Sequence, residues 1–125
     1  MRILVVDDED LPRFRLLDAL ESCGHAVMPA VSGKEALQVL ERMQVDLVIT
    51  DVVMPEMDGL ELLRAMRRSH PQVKSIVLSA SDYTQDELFL KVARVLGAAA
   101  AFRKSVSVSH LLMTIDTVCR AAVAD

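Results

Sequence analysis

Short apolar runs in this chain stop, one after another, at groups able to do chemistry. Ile3-Leu4-Val5-Val6 ends at the carboxylates Asp7 and Asp8. Leu47-Val48-Ile49-Thr50 ends at Asp51, and Ile76-Val77-Leu78 ends at the hydroxyl of Ser79. A further run, Ala100 to Arg103, is followed by Lys104. If these runs are parallel strands lying side by side, their polar ends converge on one small site. Carboxylates packed together repel one another and stay ionised only beside a cation. The donors are hard oxygens with no His or Cys near them in sequence, which favours Mg²⁺ over Zn²⁺. Mg²⁺ takes one or two carboxylates, keeps waters and binds phosphate oxygens, which points to phosphoryl chemistry. A carboxylate beside such an ion can act as a nucleophile and form an acyl phosphate. The charge on the transferring group would be neutralised by the metal, an ammonium, a hydroxyl and backbone N–H groups. Lys104 and Ser79 are placed to supply the second and third.

Converging strand ends require a parallel sheet, and the rest of the chain supplies one. Brief apolar runs alternate with segments of helical period, the pattern of βα units around a parallel sheet. The first strand is Arg2 to Val6. Pro12 suits the first turn of a helix whose apolar face is Leu16, Leu17 and Leu20, with Gly24 at its end. Ala26 to Pro29 reads as an edge strand, because Pro29 cannot donate to a ladder. Ser32 and Glu35 form a capping-box pair for a second helix that buries Ala36, Leu37, Leu40 and Met43. Asp46 to Thr50 is the third strand. Met54-Pro55 and Asp58-Gly59 mark a loop, and a third helix from Asp58 to Arg68 buries Leu60, Leu63 and Met66. Ser75 to Leu78 is the fourth strand. Thr84 caps a fourth helix, with Glu87 at the box position, an apolar face of Leu88, Val92, Val95 and Leu96, and Gly97 at its end. Ala100 to Arg103 is a weak strand, since alanine is a poor strand former. The last helix opens at Ser107 or Val108 and carries Leu111, Leu112, Ile115, Val118, Cys119 and Ala122.

Five such units predict an α/β three-layer sandwich, a five-stranded parallel sheet in order 2-1-3-4-5 with five helices, the flavodoxin-like arrangement. Ligands of such sheets bind outside the carboxyl ends of the strands, where the strand order reverses. That point lies between the strands that end in Asp7-Asp8 and Asp51. The 125 residues are the size of one domain, 1–125. With 52% apolar and 26% charged residues the chain reads as globular, and with 3% aromatics its core must be aliphatic. A net charge of −4 gives no general attraction to nucleic-acid phosphates. Cys23 and Cys119 lack CxxC spacing and fit reduced thiols. No stretch reaches the ~20 apolar residues of a membrane helix, and no targeting segment is visible, so a cytoplasmic protein is expected.

Together these motifs resemble the receiver domain of the bacterial response-regulator family, over essentially the whole chain. They are Val5-Val6-Asp7-Asp8-Glu9, Asp51-Val52-Val53-Met54-Pro55-Glu56-Met57-Asp58-Gly59, Leu78-Ser79-Ala80 and Lys104. The resemblance implies phosphorylation of Asp51 by a histidine kinase or histidine phosphotransfer protein. It implies that Asp8, Asp51 and the backbone carbonyl of Val53 ligate Mg²⁺, with Asp7 acting through a metal-bound water. Lys104 would bridge to Asp51 or its phosphoryl group. Ser79 would hydrogen-bond a phosphoryl oxygen and draw its loop inward.

The chain departs from the family pattern in the segment that relays the signal. Where receivers carry Tyr or Phe three residues before the lysine, this chain has Ala101. Phe102 follows, and a strand's period of two sends it to the opposite face. Ser105 stands where proline usually follows the lysine, so a different turn is expected there. The segment from Ser79 to Lys104 is about three residues longer than in typical members, nearly one helical turn. The expectation is therefore an intact phosphoacceptor site with an atypical face of fourth helix, fifth strand and fifth helix.

Plainer roles compete at each position. Asp51 could be a turn aspartate, Ser79 a cap and Lys104 a surface lysine. Glu9 and Asp10 read as a solvated helix start. His25, His70 and His110 have no ligand spacing. Met54, Met57, Met66 and Met113 read as packing. Val53 and Ser81 flank the site and could affect water access. The last helix is apolar over more than one stripe, from burial or from a homodimer surface near the fourth and fifth helices. Two other functions compete: a receiver-like interaction module working without phosphate, and a small hydrolase using Asp51, for which the chain has no room for a cap.

Overall fold

The structure, a computed structural model, describes residues 1–79 and 84–124, with side chains except at 84–87, 119 and 121–124. The expected cap by Thr84 and Glu87, and the expected roles of Ser81, Cys119 and Ala122, lie outside what is described. The elements follow the predicted order: β1 (Arg2–Val6), α1 (Asp10–Ser22), β2 (Ala26–Ala30), α2 (Gly33–Arg42), β3 (Leu47–Asp51), α3 (Gly59–Ser69), β4 (Lys74–Ser79), α4 (Thr84–Val95), β5 (Ala100–Arg103) and α5 (Val108–Ala124).

The strands form one parallel sheet in the order β2-β1-β3-β4-β5. Pro29 lies on edge strand β2, where its missing N–H interrupts no central ladder. Register aligns Val6 with Thr50, Asp51 with Leu78, and Ser79 with Arg103. The polar residues that end β3 and β4, and those that follow β1 and β5, therefore share one edge.

Both faces of the sheet are covered, as continuous apolar strands require. On one face Leu4, Val6 and Val48 pack with Ala36 and Leu40 of α2 and Leu62 and Met66 of α3. On the other, Ile3, Ile49, Ile76 and Leu78 pack with Leu20 of α1 and Leu111 and Ile115 of α5. The helix boundaries have local causes. The Ser32 hydroxyl accepts from the Glu35 N–H at 3.1 Å, and the Asp58 carboxylate from the Glu61 N–H at 2.8 Å. After α1 and α4 the chain turns through Gly24 and Gly97, at φ of 88° and 101°.

Several helix positions differ from the apolar pattern. Met43, Leu88, Val95 and Met113 are exposed, while Leu62 and Ala93 are fully buried. On α4 the face turned to the sheet is the one that carries Phe89, Leu90 and Ala93, which pack with Val52, Leu63, Val77 and Ala101 in a small cluster. Leu88 and Val95 fall on the other side of the helix. Ala101 is thus a packed core residue facing α3 and α4, and Phe102 faces the α1 and α5 side, as the strand period requires. There the Phe102 ring meets the His110 imidazole edge-on at 5.1 Å.

Placing an aromatic ring by Ala101→Tyr is expected to overpack the cluster around residue 101. A loss of about 2 kcal/mol in urea unfolding is anticipated, within the range for added core volume. A variant as stable as the wild type would show that the ring finds room which the packing does not offer.

Candidate functional site

The carboxyl ends of β1, β3, β4 and β5 bring together the residues singled out by the sequence. Asp51, the last residue of β3, is 3% exposed, and Asp7, just beyond β1, is 5% exposed. Asp8 beside it is exposed. Carboxylate oxygens of Asp7, Asp8 and Asp51 all lie within 4.8 Å of one another. Lys104 Nζ reaches between two of them, 2.8 Å from Asp7 Oδ2 and 3.1 Å from Asp51 Oδ2. Ser79, at the end of β4, is 1% exposed, and its hydroxyl has no hydrogen-bond partner. The side chain of Val53 is 62% exposed, on the loop after β3.

The main chain around these groups is held tightly. Val52 N–H donates to the Leu78 carbonyl at 3.0 Å, and Lys104 N–H to the Ser79 carbonyl at 2.6 Å. The Thr50 hydroxyl donates to the Asp51 carbonyl at 3.0 Å. Gly59, which opens α3, donates to the Val52 carbonyl at 2.7 Å. Glu56, in the same loop, takes φ of 68°, a left-handed conformation uncommon for a residue with a side chain. Among the described residues no peptide bond is cis, so the turn through Lys104 and Ser105 runs in trans.

The two carboxylates that Lys104 touches have different surroundings. Burial raises the pKa of Asp51 above the ordinary carboxylate value. Lys104 opposes the rise without cancelling it, and Asp7 adds to it. For Lys104, burial favours the neutral amine, but hydrogen bonds and charge from Asp7 and Asp51 outweigh it and raise the pKa above the ordinary lysine value. The ammonium is therefore charged at neutral pH. Asp7 has both oxygens engaged, Oδ1 by the Glu9 N–H at 2.9 Å and Oδ2 by Lys104. Asp51 Oδ1 differs: it is buried and has no partner.

A buried carboxylate oxygen without a donor, on a residue grouped with two further carboxylates, suits a divalent cation. The donor set fits Mg²⁺, and Asp7, Asp8 and Asp51 are the side chains able to hold it. One charged residue near the site escapes the strand-end pattern: Arg13 of α1, 5% exposed, donates to the Asp7 carbonyl at 2.9 Å. Its sequence signal is position, because Arg13 lies three, four and seven residues before Leu16, Leu17 and Leu20, on the inward face. His25 and His70 precede β2 and β4, at the opposite edge of the sheet.

Comparison with known proteins agrees with this arrangement. Residues 3–116 match the family model described as the response regulator receiver domain. The chain is 43% identical over 118 residues to "Sensor kinase CckA" of Brucella abortus, covering 90% of this chain and 12% of that protein. It is 38% identical over 88 residues to "Response regulator MprA" of Mycolicibacterium vanbaalenii, covering 70% of this chain and 38% of that protein. The chain thus spans well under half the length of these relatives. Among solved structures, a response regulator receiver domain protein from Clostridium thermocellum superposes with a TM-score of 0.88 at 30% identity, covering 99% of this chain and 98% of that one. A CheY-like receiver domain protein from Methanospirillum hungatei JF-1 gives 0.89 at 27% identity, covering 98% and 96%. By sequence and by fold, the chain belongs to the response regulator receiver domain family.

Proposed function

We propose that residues 1–125 form one receiver domain that accepts a phosphoryl group on Asp51, in a Mg²⁺-dependent reaction, from a histidine kinase or a histidine phosphotransfer protein. The observation that carries this reading is the contrast between the two oxygens of Asp51. Oδ2 is held by Lys104, while Oδ1 is buried and free of donors. Oδ1 is left for the cation, and Oδ2, once Lys104 turns to the phosphoryl group, for attack on phosphorus.

In the transfer, an Asp51 oxygen forms a bond to phosphorus as the bond from phosphorus to the donor's imidazole nitrogen breaks. The imidazole leaves with its electron pair and takes up a proton. Lys104, released from one carboxylate contact, neutralises a phosphoryl oxygen. The unpartnered hydroxyl of Ser79 donates to another, which gives that buried group its missing partner. Mg²⁺, when bound, supplies the positive charge that lets the carboxylates and the phosphoryl oxygens lie together. Asp8, Asp51 and the Val53 carbonyl would hold it directly. Asp7, with both oxygens already accepting, is suited to act through a water. A groove of about 330 Å³ lined in part by Pro12, Leu16, Val106 and Leu111 opens beside Asp7 and Lys104, and supports the approach of a partner's helix.

The decisive experiment is incubation with Mg²⁺ and acetyl phosphate, followed by mass spectrometry. An acid-labile acyl phosphate on Asp51 is expected. If none forms, and beryllofluoride does not bind, the domain is a protein-interaction module that works without phosphate. The signal is proposed to leave through an atypical face of α4, β5 and α5. Support comes from Ala101, which is packed among Val52, Leu63, Val77 and Ala93 and has no ring to swing. The downstream partner would be a protein, with a homodimer through this region as one form. Among the described residues no helix is long and apolar enough to cross a membrane, and the exposed free thiol of Cys23 suits a reducing compartment, so the proposal includes a cytoplasmic location.

Metal binding has its own signature in stability. At a hundred times its dissociation constant, Mg²⁺ is expected to stabilise the fold by about 2.7 kcal/mol in urea unfolding. Asp8→Asn should remove most of that gain. Because Asp8 is exposed, its metal-free stability should stay within about 0.5 kcal/mol of the wild type. An equal gain in both proteins would place the ion elsewhere.

A further inference from the structure

Among the described residues Arg13 is the one buried cation, and the phosphoryl chemistry above does not use it. Its Nη1 donates to the Asp7 carbonyl at 2.9 Å and its Nη2 to the Asp10 carboxylate at 2.6 Å. Its Nε is buried with no partner, and its guanidinium carbon sits 5.1 Å from the centre of the Phe14 ring. As a stabilising device this is a poor arrangement. Burial of a guanidinium is costly, an unmet N–H adds to the cost, and the Asp10 side chain is 79% exposed, so water screens the ion pair.

The contact instead does something geometric. The carbonyl of Asp7 belongs to the planar peptide that joins Asp7 to Asp8. Arg13 therefore grips the plane from which both carboxylates project. The Asp7 carboxylate is also fixed by Glu9 N–H and Lys104, at 2.9 and 2.8 Å. Asp8 is exposed, and the main chain is what aims it.

We propose that Arg13 is a positioning residue for the acidic cluster: its guanidinium ties the Asp7–Asp8 peptide to Asp10 and so holds Asp7 and Asp8 at the spacing a divalent cation needs. This rests on the reading of Asp7, Asp8 and Asp51 as the Mg²⁺ site. Lysine cannot replace it, because one ammonium lacks the planar fork that spans a carbonyl and a carboxylate at fixed separation. Electrostatics alone predict the opposite sign, since removing a cation from beside carboxylates should tighten Mg²⁺ binding.

The test is a Mg²⁺ titration of the whole chain, followed by amide chemical shifts, for the wild type, Arg13→Met and Arg13→Lys. Folding of each is verified by urea unfolding without metal. Both variants are expected to bind Mg²⁺ about tenfold more weakly, the low end for loss of a group that orients a metal ligand. At saturating Mg²⁺ the rate of phosphorylation by acetyl phosphate in Arg13→Lys should return to that of the wild type, which a general loosening of the fold would not allow. Should Arg13→Met fail to fold, Arg13→Lys decides. Unchanged or tighter Mg²⁺ binding in the folded variants overturns the proposal and leaves the phosphoacceptor reading standing. A wild type that binds no Mg²⁺ overturns both.

Discussion

Asp51→Asn is expected to abolish acyl phosphate formation from acetyl phosphate and to leave a more stable protein. The first effect follows from chemistry: an amide oxygen is a poor nucleophile and carries no charge to anchor a cation. Phosphate incorporation should fall to background in mass spectrometry. Persistent labelling at another carboxylate would show that Asp51 is not the acceptor. The second effect follows from burial. Asp51 is held at 3% exposure, and its desolvation outweighs the opposing pull of Lys104. Asparagine removes that cost. Lys104 is not stranded, because Asp7 stays 2.8 Å away. In metal-free buffer Asp51→Asn is therefore expected to unfold at higher urea concentration than the wild type.

The gain should depend on pH in a direction fixed by the raised pKa. When the folded-state pKa of an acid lies above the unfolded value, the folded state holds its proton to higher pH. Stability in the wild type is then greatest below the unfolded pKa and falls as pH rises through the folded one. Asp51→Asn has no such group. The two proteins should converge in the contribution of this site at acid pH and diverge towards neutrality. Urea unfolding at a series of pH values, with chelator present, measures the difference. A difference that grows as the pH is lowered would contradict a raised pKa at Asp51.

The site was more legible in the sequence than the packing of the helices. Strand ends can be read because parallel strands need continuous apolar runs, and a polar residue that ends one is placed by that fact at the edge of the sheet. Asp7, Asp51, Ser79 and Lys104 are placed by this rule, and Ala101 and Phe102 by the period of two. Helix faces are harder, because an apolar stripe does not reveal how much space its partner leaves. On α3 the buried set is Leu62, Leu63 and Met66, with Leu60 only partly covered, so the stripe is rotated from the one expected. On α4, Leu88 and Val95 are 62% and 78% exposed because the face turned to the sheet is the one that carries Phe89, Leu90 and Ala93. Arg13 is hard to read from sequence for another reason. Arginine is usually a surface residue, and only its spacing from Leu16, Leu17 and Leu20 marks it as inward-facing.

Gly59→Ala is expected to damage folding and chemistry together, although it adds one carbon atom. A Cβ at residue 59 would press into the Asp51 carbonyl oxygen, and would also meet Val52 Cα at 3.0 Å and the Asp51 carbonyl carbon at 3.1 Å. All three obstacles are main chain, so no side-chain rotation relieves the contact. Nor can the strand end yield freely, since Val52 N–H is bonded to Leu78 and Gly59 N–H to the Val52 carbonyl, at 3.0 and 2.7 Å. Either the start of α3 moves away or the end of β3 does, and the second movement carries Asp51 with it. Overpacking against a rigid wall should cost about 3 kcal/mol or more, equivalent to a fall of about 10 °C in Tm. Gly33 provides the contrast. A Cβ there meets Met57 Sδ, Cγ and Cβ at 2.8, 2.9 and 3.2 Å, all atoms of one flexible side chain rather than of the main chain. Gly33→Ala should therefore cost less than Gly59→Ala and leave phosphorylation of Asp51 unchanged. If Gly59→Ala melts within 2 °C or so of the wild type and is phosphorylated at the same rate, the contact between α3 and the end of β3 does not hold Asp51 in place.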